Sequence, residues 1–323
     1  MKIIGLGNAL VDILIRIPND EFLAAYALPK GSMQLSQLAL TDRILDDAAE
    51  LEKHFNSGGS AANTIHGLAK LGAETGYIGK VGNDEHGIFF KDDLENNHII
   101  SFLTKGSQGT GKAMALISPD SERTFATYLG SAIELTTDDI KAKQLAAFDV
   151  LHIEGYLVQN QELIEEALRI AKENNLKTSI DLASYNVVED NRNFLLKLIK
   201  NYVDIVFANE EEAKALTLKE PRKALDEIAT MSDIAVVKLG SKGSLIKQGD
   251  KVYTVDVIKV NPLDTTGAGD LYAAGFLYGL SKGKSLHTCG NYGAILAGKV
   301  IEHIGAKIPD EVWAEVKKLM KKT

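Results

Sequence analysis

The chain has 323 residues, of which 45% are hydrophobic, enough to bury a substantial core. Acidic residues outnumber basic ones by 44 to 36, and the resulting net charge of −8 argues against a general nucleic-acid-binding protein. No apolar run reaches the roughly 18 residues of a membrane span, and the N-terminal pattern lacks a signal peptide, so we expect no membrane partner. Cys289 is the only cysteine, which rules out an intrachain disulfide and favours a reducing cytoplasm.

Short apolar runs alternate with helical patterns along much of the chain. Runs of this length suit parallel strands that are buried on both faces. The predicted strands are Lys2–Leu6, Glu74–Ile78, Val150–Ile153, Thr178–Leu182, Ile205–Ala208 and Ile234–Leu239. Helical patterns between them include Gln161–Asn174 and Asn193–Asn201. This alternation predicts an α/β fold with a mostly parallel sheet and helices on both faces.

Residues 11–35 and 102–128 interrupt this alternation with strand-like stretches. Within the second segment, Met114–Ile117 and Arg123–Tyr128 flank the turn-forming pair Pro119-Asp120, which predicts a hairpin. We expect the two segments to form a small β-sheet that projects from the main body as a lid. No linker or internal repeat is visible, so residues 1–323 are expected to form a single domain.

A glycine-rich cluster, Asn56-Ser-Gly-Gly-Ser-Ala-Ala-Asn63, precedes the helical run Thr64–Leu71. Gly58 and Gly59 let a ligand approach the backbone, and Asn63 can both donate hydrogen bonds to hydroxyls and accept them. Glycine pairs before helices are also common turns, so this cluster alone does not decide between the two interpretations.

Gly106-Ser-Gln-Gly-Thr-Gly-Lys112 nearly matches a P-loop, the phosphate-binding motif of many nucleotide-hydrolysing enzymes. Ala113 stands where that motif needs Ser or Thr, and a strand-like stretch follows where it needs a helix. We therefore do not assign a P-loop to this segment.

A second cluster, Asn261-Pro-Leu-Asp-Thr-Thr-Gly-Ala-Gly-Asp270, runs directly into an apolar helical pattern. The backbone of Thr266, Gly267, Ala268 and Gly269 should therefore lie at a helix N-terminus, where free N–H groups attract an anion such as a transferred phosphate. Asp270 places a carboxylate beside that positive site, where it can act as a general base. The alternative is an ordinary helix start capped by Thr266 or Asp270.

Together and in this order, the two clusters resemble the paired signatures of the ribokinase-like (PfkB) family of carbohydrate and nucleoside kinases. The resemblance extends from Gly7-Asn8 to Gly290–Ala294. It implies an ATP- and magnesium-dependent kinase with a small-sheet lid, either a monomer or a homodimer joined through the lid. Asp270 is implied to be the base, and the backbone of Gly267, Ala268 and Gly269 the anion site.

The resemblance assigns further residues to the substrate. Asp12 resembles the carboxylate that holds two sugar hydroxyls, together with Gly58, Gly59 and Asn63; without these neighbours, a turn at a strand end would explain Asp12. Arg123 fits a pattern that packs near the substrate phosphate.

On the nucleotide side, Asn209-Glu-Glu-Glu212 matches an Asn-x-x-Glu element, in which Asn209 and Glu212 would hold magnesium through water. The alternative is a solvated helix start. The remaining nucleotide-side residues that the resemblance implies are Lys238, Gly240, Gly243, Thr266 and Asn291, and Asn291 could equally be a helix cap. Asp264 resembles the position through which some members bind a monovalent cation such as potassium.

Several stretches look most similar to adenosine kinases, particularly bacterial ones: Gly7–Asp12, Glu154-Gly-Tyr156, Asp204–Asn209 and Asp264–Leu271. The leading expectation is therefore transfer of phosphate from ATP to adenosine, giving AMP. A kinase for ribose, fructose or another free sugar is the alternative within the family. A non-catalytic nucleoside or sugar sensor is a further alternative, which the intact Gly-Ala-Gly-Asp sequence disfavours.

Overall fold

The computed structural model describes residues 1–120 and 122–323. Its strands, numbered in chain order, are β1 (Ile3–Leu6), β2 (Leu10–Arg16), β3 (Met33–Leu35), β4 (Lys53–Gly58), β5 (Thr75–Val81), β6 (Ile99–Lys105), β7 (Gly111–Ile117), β8 (Arg123–Tyr128), β9 (Val150–Glu154), β10 (Lys177–Asp181), β11 (Ile205–Asn209), β12 (Ile234–Lys238), β13 (Ser244–Gln248) and β14 (Lys251–Val255).

The α-helices of the same residues are α1 (Glu21–Ala24), α2 (Leu38–Asp47), α3 (Ser60–Lys70), α4 (Glu85–Asn96), α5 (Ala142–Leu145), α6 (Gln161–Glu173), α7 (Tyr185–Asp190), α8 (Arg192–Tyr202), α9 (Glu210–Thr217), α10 (Pro221–Ile228), α11 (Ala268–Ser281), α12 (Leu286–Val300) and α13 (Trp313–Met320).

A large sheet forms the body of the molecule, with the strand order β14-β13-β12-β11-β10-β9-β1-β5-β6. Every neighbouring pair from β12 to β6 is parallel, and β13 and β14 extend one edge as an antiparallel hairpin. The mostly parallel sheet predicted from the apolar runs is confirmed, and each predicted strand corresponds to an observed one.

Helices cover both faces of this sheet because its strands are apolar on both sides. Ile3 packs into a core with α3, α11 and α12, whereas its neighbour Ile4 packs into a second core with α6 and α8. Successive side chains of a strand point to opposite faces, so these two cores lie on opposite sides of the sheet. No helix in the described ranges is long and apolar enough to cross a membrane.

A smaller five-stranded sheet has the order β3-β8-β7-β2-β4. The predicted hairpin is present, with Met114 opposite Ala126 in the antiparallel pair β7–β8. The predicted bounds of this sheet need correction, however. Residues 102–105 belong to β6 of the large sheet, where they pair in parallel with residues 78–81 of β5. Residues 53–58, outside the predicted bounds, form β4 and pair with β2 at the edge of the small sheet.

Candidate active site

A cleft of about 1330 Å³ lies between the two sheets. It opens at the carboxyl ends of the parallel strands, the usual position of ligand sites in open α/β folds. Four polar residues at the last position of consecutive strands line it: Glu154, Asp181, Asn209 and Lys238. The small sheet contributes residues of β2, β3, β7 and β8 from the opposite side. The cleft exceeds the roughly 300–1,000 Å³ typical of a pocket for one small ligand, so it has room for two.

Asp270, in the first turn of α11, lies in the middle of this cleft. Its Oδ1 accepts a hydrogen bond from the Ser60 hydroxyl at 2.7 Å, and its Oδ2 accepts one from the Asn63 amide at 2.9 Å. Burial raises the pKa of Asp270 to about 6, although these two hydrogen bonds act in the opposite direction. The carboxylate therefore does not cap its own helix, and its pKa suits a base that works near neutral pH.

The loop that leads into α11, residues 264–269, is called the glycine loop below. Gly267 has a φ of +75°, and a Cβ placed on it would lie 2.7 Å from Ala306, so only glycine fits this turn. Among the described residues, the N–H groups of Gly267, Gly269 and Asp270 have no protein acceptor. Free N–H groups at the start of a helix form an anion-binding site.

The expectation that four successive N–H groups face the anion needs correction. The Ala268 N–H donates to the Thr265 carbonyl at 3.2 Å, and the Thr266 N–H donates to the Asp264 carboxylate at 2.8 Å. These two groups hold the loop in shape, because a tight turn satisfies part of its own backbone internally. The N–H groups that the loop leaves free for an anion are therefore those of Gly267, Gly269 and Asp270.

Asp264 and Arg123 hold the glycine loop in place through an ion pair with each other and hydrogen bonds to Thr266. The buried Asp264 carboxylate forms an ion pair with Arg123 and accepts hydrogen bonds from the backbone N–H groups of Thr266 and Gly305. Arg123 also donates to the Thr266 hydroxyl at 3.0 Å. Both residues line a separate, smaller pocket. Arg123 thus does not line the main cleft, and the monovalent-cation site expected at Asp264 stays a prediction.

The small-sheet end of the cleft is defined by Asp12, Gly58, Gly59 and Asn63. Asp12, on β2, accepts no hydrogen bond from any residue that the structure describes, and burial raises its pKa to about 7. A Cβ on Gly58 would overlap the Asp12 carboxylate, and Gly59 has a φ of +96° that L side chains rarely adopt. The glycine pair therefore makes room for Asp12 and turns the chain into α3. Asp12 is left with free acceptor atoms that point to a ligand with hydroxyl groups.

Asn63 adds a second unused acceptor at this end. Its amide nitrogen donates to Asp270, while its Oδ1 is buried and has no partner within the described part of the chain. Buried polar atoms without a partner are uncommon and destabilising, which favours a bound hydroxyl as the missing donor.

Glu154 connects the chain segments next to these groups through hydrogen bonds. It is fully buried and accepts hydrogen bonds from the backbone N–H and side-chain amide of Asn8, at 2.9 and 2.7 Å, and from the Ala61 N–H at 3.0 Å. Burial raises its pKa to about 7 against the effect of these donors. Glu154 thereby joins the end of β9 to the segment after β1 and to the first turn of α3.

Lys238 and Asp181 form a buried ion pair at 2.7 Å on the other side of Asp270. A Cβ placed on Gly269 would lie 3.0 Å from Lys238 Nζ, so the ammonium group stands directly beside the glycine loop. A positive charge at that position complements an anion bound to the loop.

Asn209 and Glu212 form a closed capping box at the start of α9. Both oxygens of Glu212 accept hydrogen bonds from Asn209, at 2.8 Å from its backbone N–H and 2.7 Å from its side-chain amide. Burial and the Asp181 carboxylate raise the pKa of Glu212 to about 7. No group of three or more His, Cys, Asp or Glu side chains in the described ranges is placed to hold a metal directly. Each side-chain oxygen of Asn209 and Glu212 accepts one hydrogen bond within the box and can accept another from water, which fits a hydrated Mg²⁺ held through water.

The opposite end of the cleft, the α12 end, is small and apolar. Gly240 and Gly243 both line it; the position of a Cβ on Gly240 is open space, whereas a Cβ on Gly243 would overlap the Val255 carbonyl at the end of β14. The other apolar or small residues that line this end are Val257, Ile258, Val260, Ala294, Ala297, Gly298 and Ile301, and Lys259 lies among them. Linings that are mainly apolar with a few polar groups are typical of pockets that bind ring-containing ligands.

Asn291 lies outside the cleft, which corrects the expected contact with a nucleotide base. Its amide lies 3.3 Å from His287 Nδ1 on the exposed side of α12. The early part of α12 packs on α11, where a Cβ on Gly275 would overlap the Tyr292 carbonyl. Only the later turns of the helix, from Ala294 onward, reach the cleft.

Comparison with known proteins agrees with this geometry. The model of the pfkB family of carbohydrate kinases matches residues 38–313, most of the chain. The chain belongs to the PfkB family. It is therefore a kinase of sugars or nucleosides, the class to which this family belongs.

Two relatives and one solved structure illustrate which PfkB proteins this chain is similar to. An uncharacterized sugar kinase of Archaeoglobus fulgidus is 33% identical over 248 residues, which cover 75% of this chain and 96% of that one. A 5-dehydro-2-deoxygluconokinase of Bacillus licheniformis is 27% identical, covering 81% of this chain and 86% of that one. The crystal structure of adenosine kinase from Sinorhizobium meliloti is 35% identical with a TM-score of 0.86, covering 98% of both chains.

Three residues of this PfkB kinase were assigned no role in the site from the sequence: Ser60, Glu154 and Asp181. Glu154 and Asp181 each lie at the carboxyl end of a predicted strand or directly after it, so a search of strand ends for acidic residues could have found them. Ser60 has no such signal, because its partner Asp270 is 210 residues away.

Proposed function

We propose that this PfkB kinase transfers the γ-phosphate of ATP to the 5′ hydroxyl of adenosine, giving AMP and ADP. One observation carries the proposal. The Asp270 carboxylate lies between an anion-binding loop on one side and two unused hydroxyl acceptors, Asp12 and Asn63, on the other. A phosphate and a hydroxyl compound bound at these two places would meet at Asp270.

The chemistry follows from this placement. The acceptor hydroxyl gives its proton to Asp270 as its oxygen forms a bond to the γ-phosphorus, and the bond from that phosphorus to the β–γ bridging oxygen breaks to release ADP. The N–H groups of Gly267 and Gly269, with the Lys238 ammonium group, stabilise the negative charge on the transferred group. Mg²⁺, held through water near Asn209 and Glu212, would neutralise phosphate charge when bound.

The preference for a nucleoside over a free sugar rests on the apolar wall of the small-sheet end. Met33 and Leu35 on β3, and Ile133 after β8, line the cleft and are 54%, 64% and 57% exposed. Leu10 and Leu129 continue the same wall. A free sugar offers hydroxyls on every side and gains little from such a surface, whereas a purine ring would cover it.

A free-sugar kinase is the second candidate, and the similarity to the two sugar kinases favours it. A coupled ADP-release screen with adenosine, other nucleosides, ribose and fructose decides between the two. We expect the highest kcat/KM with adenosine. A higher kcat/KM with a free sugar contradicts the adenosine assignment and leaves the kinase assignment in place.

A further inference from the structure

Two helix starts are joined at Asp270 by side-chain hydrogen bonds from α3. The Ser60 hydroxyl donates to Oδ1, the Asn63 amide donates to Oδ2, and the Thr64 hydroxyl donates to the backbone carbonyl of Asp270 at 3.1 Å. Ser60 is the first residue of α3 and directly follows the glycine pair that faces the small-sheet end. The acceptor side of the cleft and the proposed base are thus in direct contact.

Close packing holds this contact in place. A Cβ placed on Gly67 of α3 would lie 2.8 Å from Leu271 and 2.9 Å from Ala274, both on α11. The absence of a side chain at Gly67 lets the two helices approach, so their first turns cannot separate freely. With the backbones fixed, the orientation of the Asp270 carboxylate depends on its two side-chain donors.

We propose that Ser60 is a positioning residue for the base: its hydroxyl fixes the rotation of the Asp270 carboxylate and so aims a free lone pair at the acceptor hydroxyl. The inference rests on the proposed role of Asp270. Ser60 and Asn63 each bind a different carboxylate oxygen, which prevents rotation about the last side-chain bond. Each oxygen retains one lone pair for the substrate.

The test uses Ser60→Ala and the hydroxyl-retaining Ser60→Thr in the full chain. In Ser60→Ala we expect kcat to fall by about 10–100-fold, because a small misplacement of a catalytic group has effects of this size. The KM for the acceptor should change by less than about threefold, since the bond contributes to the transition state rather than to binding. Ser60→Thr should recover most of the lost kcat.

The pH dependence of kcat gives a second readout that a purely structural role would not change. A hydrogen bond to the carboxylate lowers its pKa, so removing the Ser60 hydroxyl should shift the acid limb of the profile upward by roughly one pH unit. The matched control is Thr64→Val, which removes a hydroxyl that contacts the backbone carbonyls of Asp270 and Ser60 but not the Asp270 carboxylate. It should lower the melting temperature and leave the acid limb where it is.

A double-mutant cycle completes the test. If Ser60 acts through the carboxylate, Ser60→Ala should have little further effect on kcat in an Asp270→Asn background. Three results would each overturn the inference: an equal loss of kcat in both backgrounds, a change in KM alone, or the same shift of the acid limb in Thr64→Val. Should Ser60→Ala not fold, Ser60→Cys, with a weaker donor of similar size, provides the same comparison. Near-normal turnover of Asp270→Asn would overturn both the role of Asp270 as base and this inference. A preference for a free sugar would contradict only the proposed substrate.

Discussion

The small-sheet end of the cleft presents charged and polar side chains beneath an apolar wall, whereas the α12 end presents mainly apolar side chains. Asp12 and Asn63 carry unused acceptors at the first end. At the second end, the lining from Val257 to Val260 and from Ala294 onward is apolar apart from Lys259. A site that must choose among hydroxyl compounds needs directional hydrogen bonds, since an unpaired buried acceptor penalises the wrong ligand. A site for a flat ring can rely on close packing.

This difference predicts that variants at the two ends affect different substrates, while variants between them affect turnover. Asp270, the glycine loop and Lys238 lie between the two ends and contact the reacting groups in our proposal. Changes there should lower kcat with little change in either KM.

Asp270→Asn is expected to have the largest effect. The amide keeps the size of the side chain but removes the proton acceptor, so kcat should fall by about 10²–10⁴-fold. Steady-state kinetics with ATP and adenosine measure this, and a binding titration with adenosine checks that the site is intact. Turnover near the wild-type value in a folded sample would show that Asp270 is not the base.

Gly269→Val should come next, with a loss of about 10²-fold in kcat, because a branched side chain would obstruct the anion site and displace Lys238. Gly269→Ala, whose Cβ would lie 3.0 Å from the flexible end of Lys238, should have an intermediate effect. Thermal unfolding of both variants separates a local effect from misfolding. Unchanged kinetics in Gly269→Val would mean that the anion binds elsewhere.

Asp12→Ala tests the small-sheet end by itself. Wild-type protein should prefer adenosine to 2′-deoxyadenosine by about one to two powers of ten in kcat/KM, since a lost hydrogen bond to a charged group is worth roughly 1.5–3 kcal/mol. The preference should shrink in Asp12→Ala, and the KM for ATP should stay constant. Equal discrimination in both proteins would assign the hydroxyl contact to another residue.

Gly298→Ala tests the α12 end. The added methyl would overlap Ile258 and push that side chain into the cleft, so the KM for ATP should rise by about threefold to tenfold with the KM for adenosine unchanged. Asn291→Ala is the matched control on the same helix and should change neither constant. A rise in the KM for ATP in the Asn291 variant would show that Asn291 contacts the nucleotide after all.

The smallest effect concerns stability. Burial raises the pKa of Asp270 from 3.8 to about 6, so the folded state binds its proton more tightly than the unfolded state does. The associated stability is present below about pH 4 and is lost as the pH rises through about 6. Asp270→Asn has no such proton and should therefore exceed wild type by about 1–2 kcal/mol at pH 8, with the gap closing towards pH 4. Denaturant unfolding at both pH values measures this, and a constant gap would show that the titration of Asp270 does not cause the difference.

The sequence predicted six of the seven parallel strands of the large sheet because short, mostly apolar runs mark them, as in Ile205–Ala208. It missed β4 because Lys-His-Phe-Asn-Ser-Gly has no apolar alternation, and an edge strand of this kind is defined by its pairing with β2. It placed residues 102–105 in the wrong sheet because β-propensity does not say which strand is the neighbour.

The local motifs of the site could be predicted from the sequence, but the contacts between distant residues could not. The glycine clusters place Asp12, Asn63 and Asp270 in one cleft through the family resemblance. The use of the Thr266 and Ala268 N–H groups inside the loop was not predictable, because it depends on the turn geometry and on Asp264. That carboxylate also accepts from Gly305, 41 residues away. Asn291 was misplaced for a similar reason, since the part of α12 that reaches the cleft is set by its packing on α11.

The identity of the phosphorylated product tests the central claim most directly. Wild-type protein is incubated with ATP, Mg²⁺ and either adenosine, 5′-deoxyadenosine or ribose, and the products are identified by ³¹P NMR. The cleft geometry predicts phosphate on the 5′ oxygen of adenosine, no phosphorylation of 5′-deoxyadenosine and slower reaction of ribose. Phosphate at another position of adenosine, or faster phosphorylation of ribose, would contradict the account.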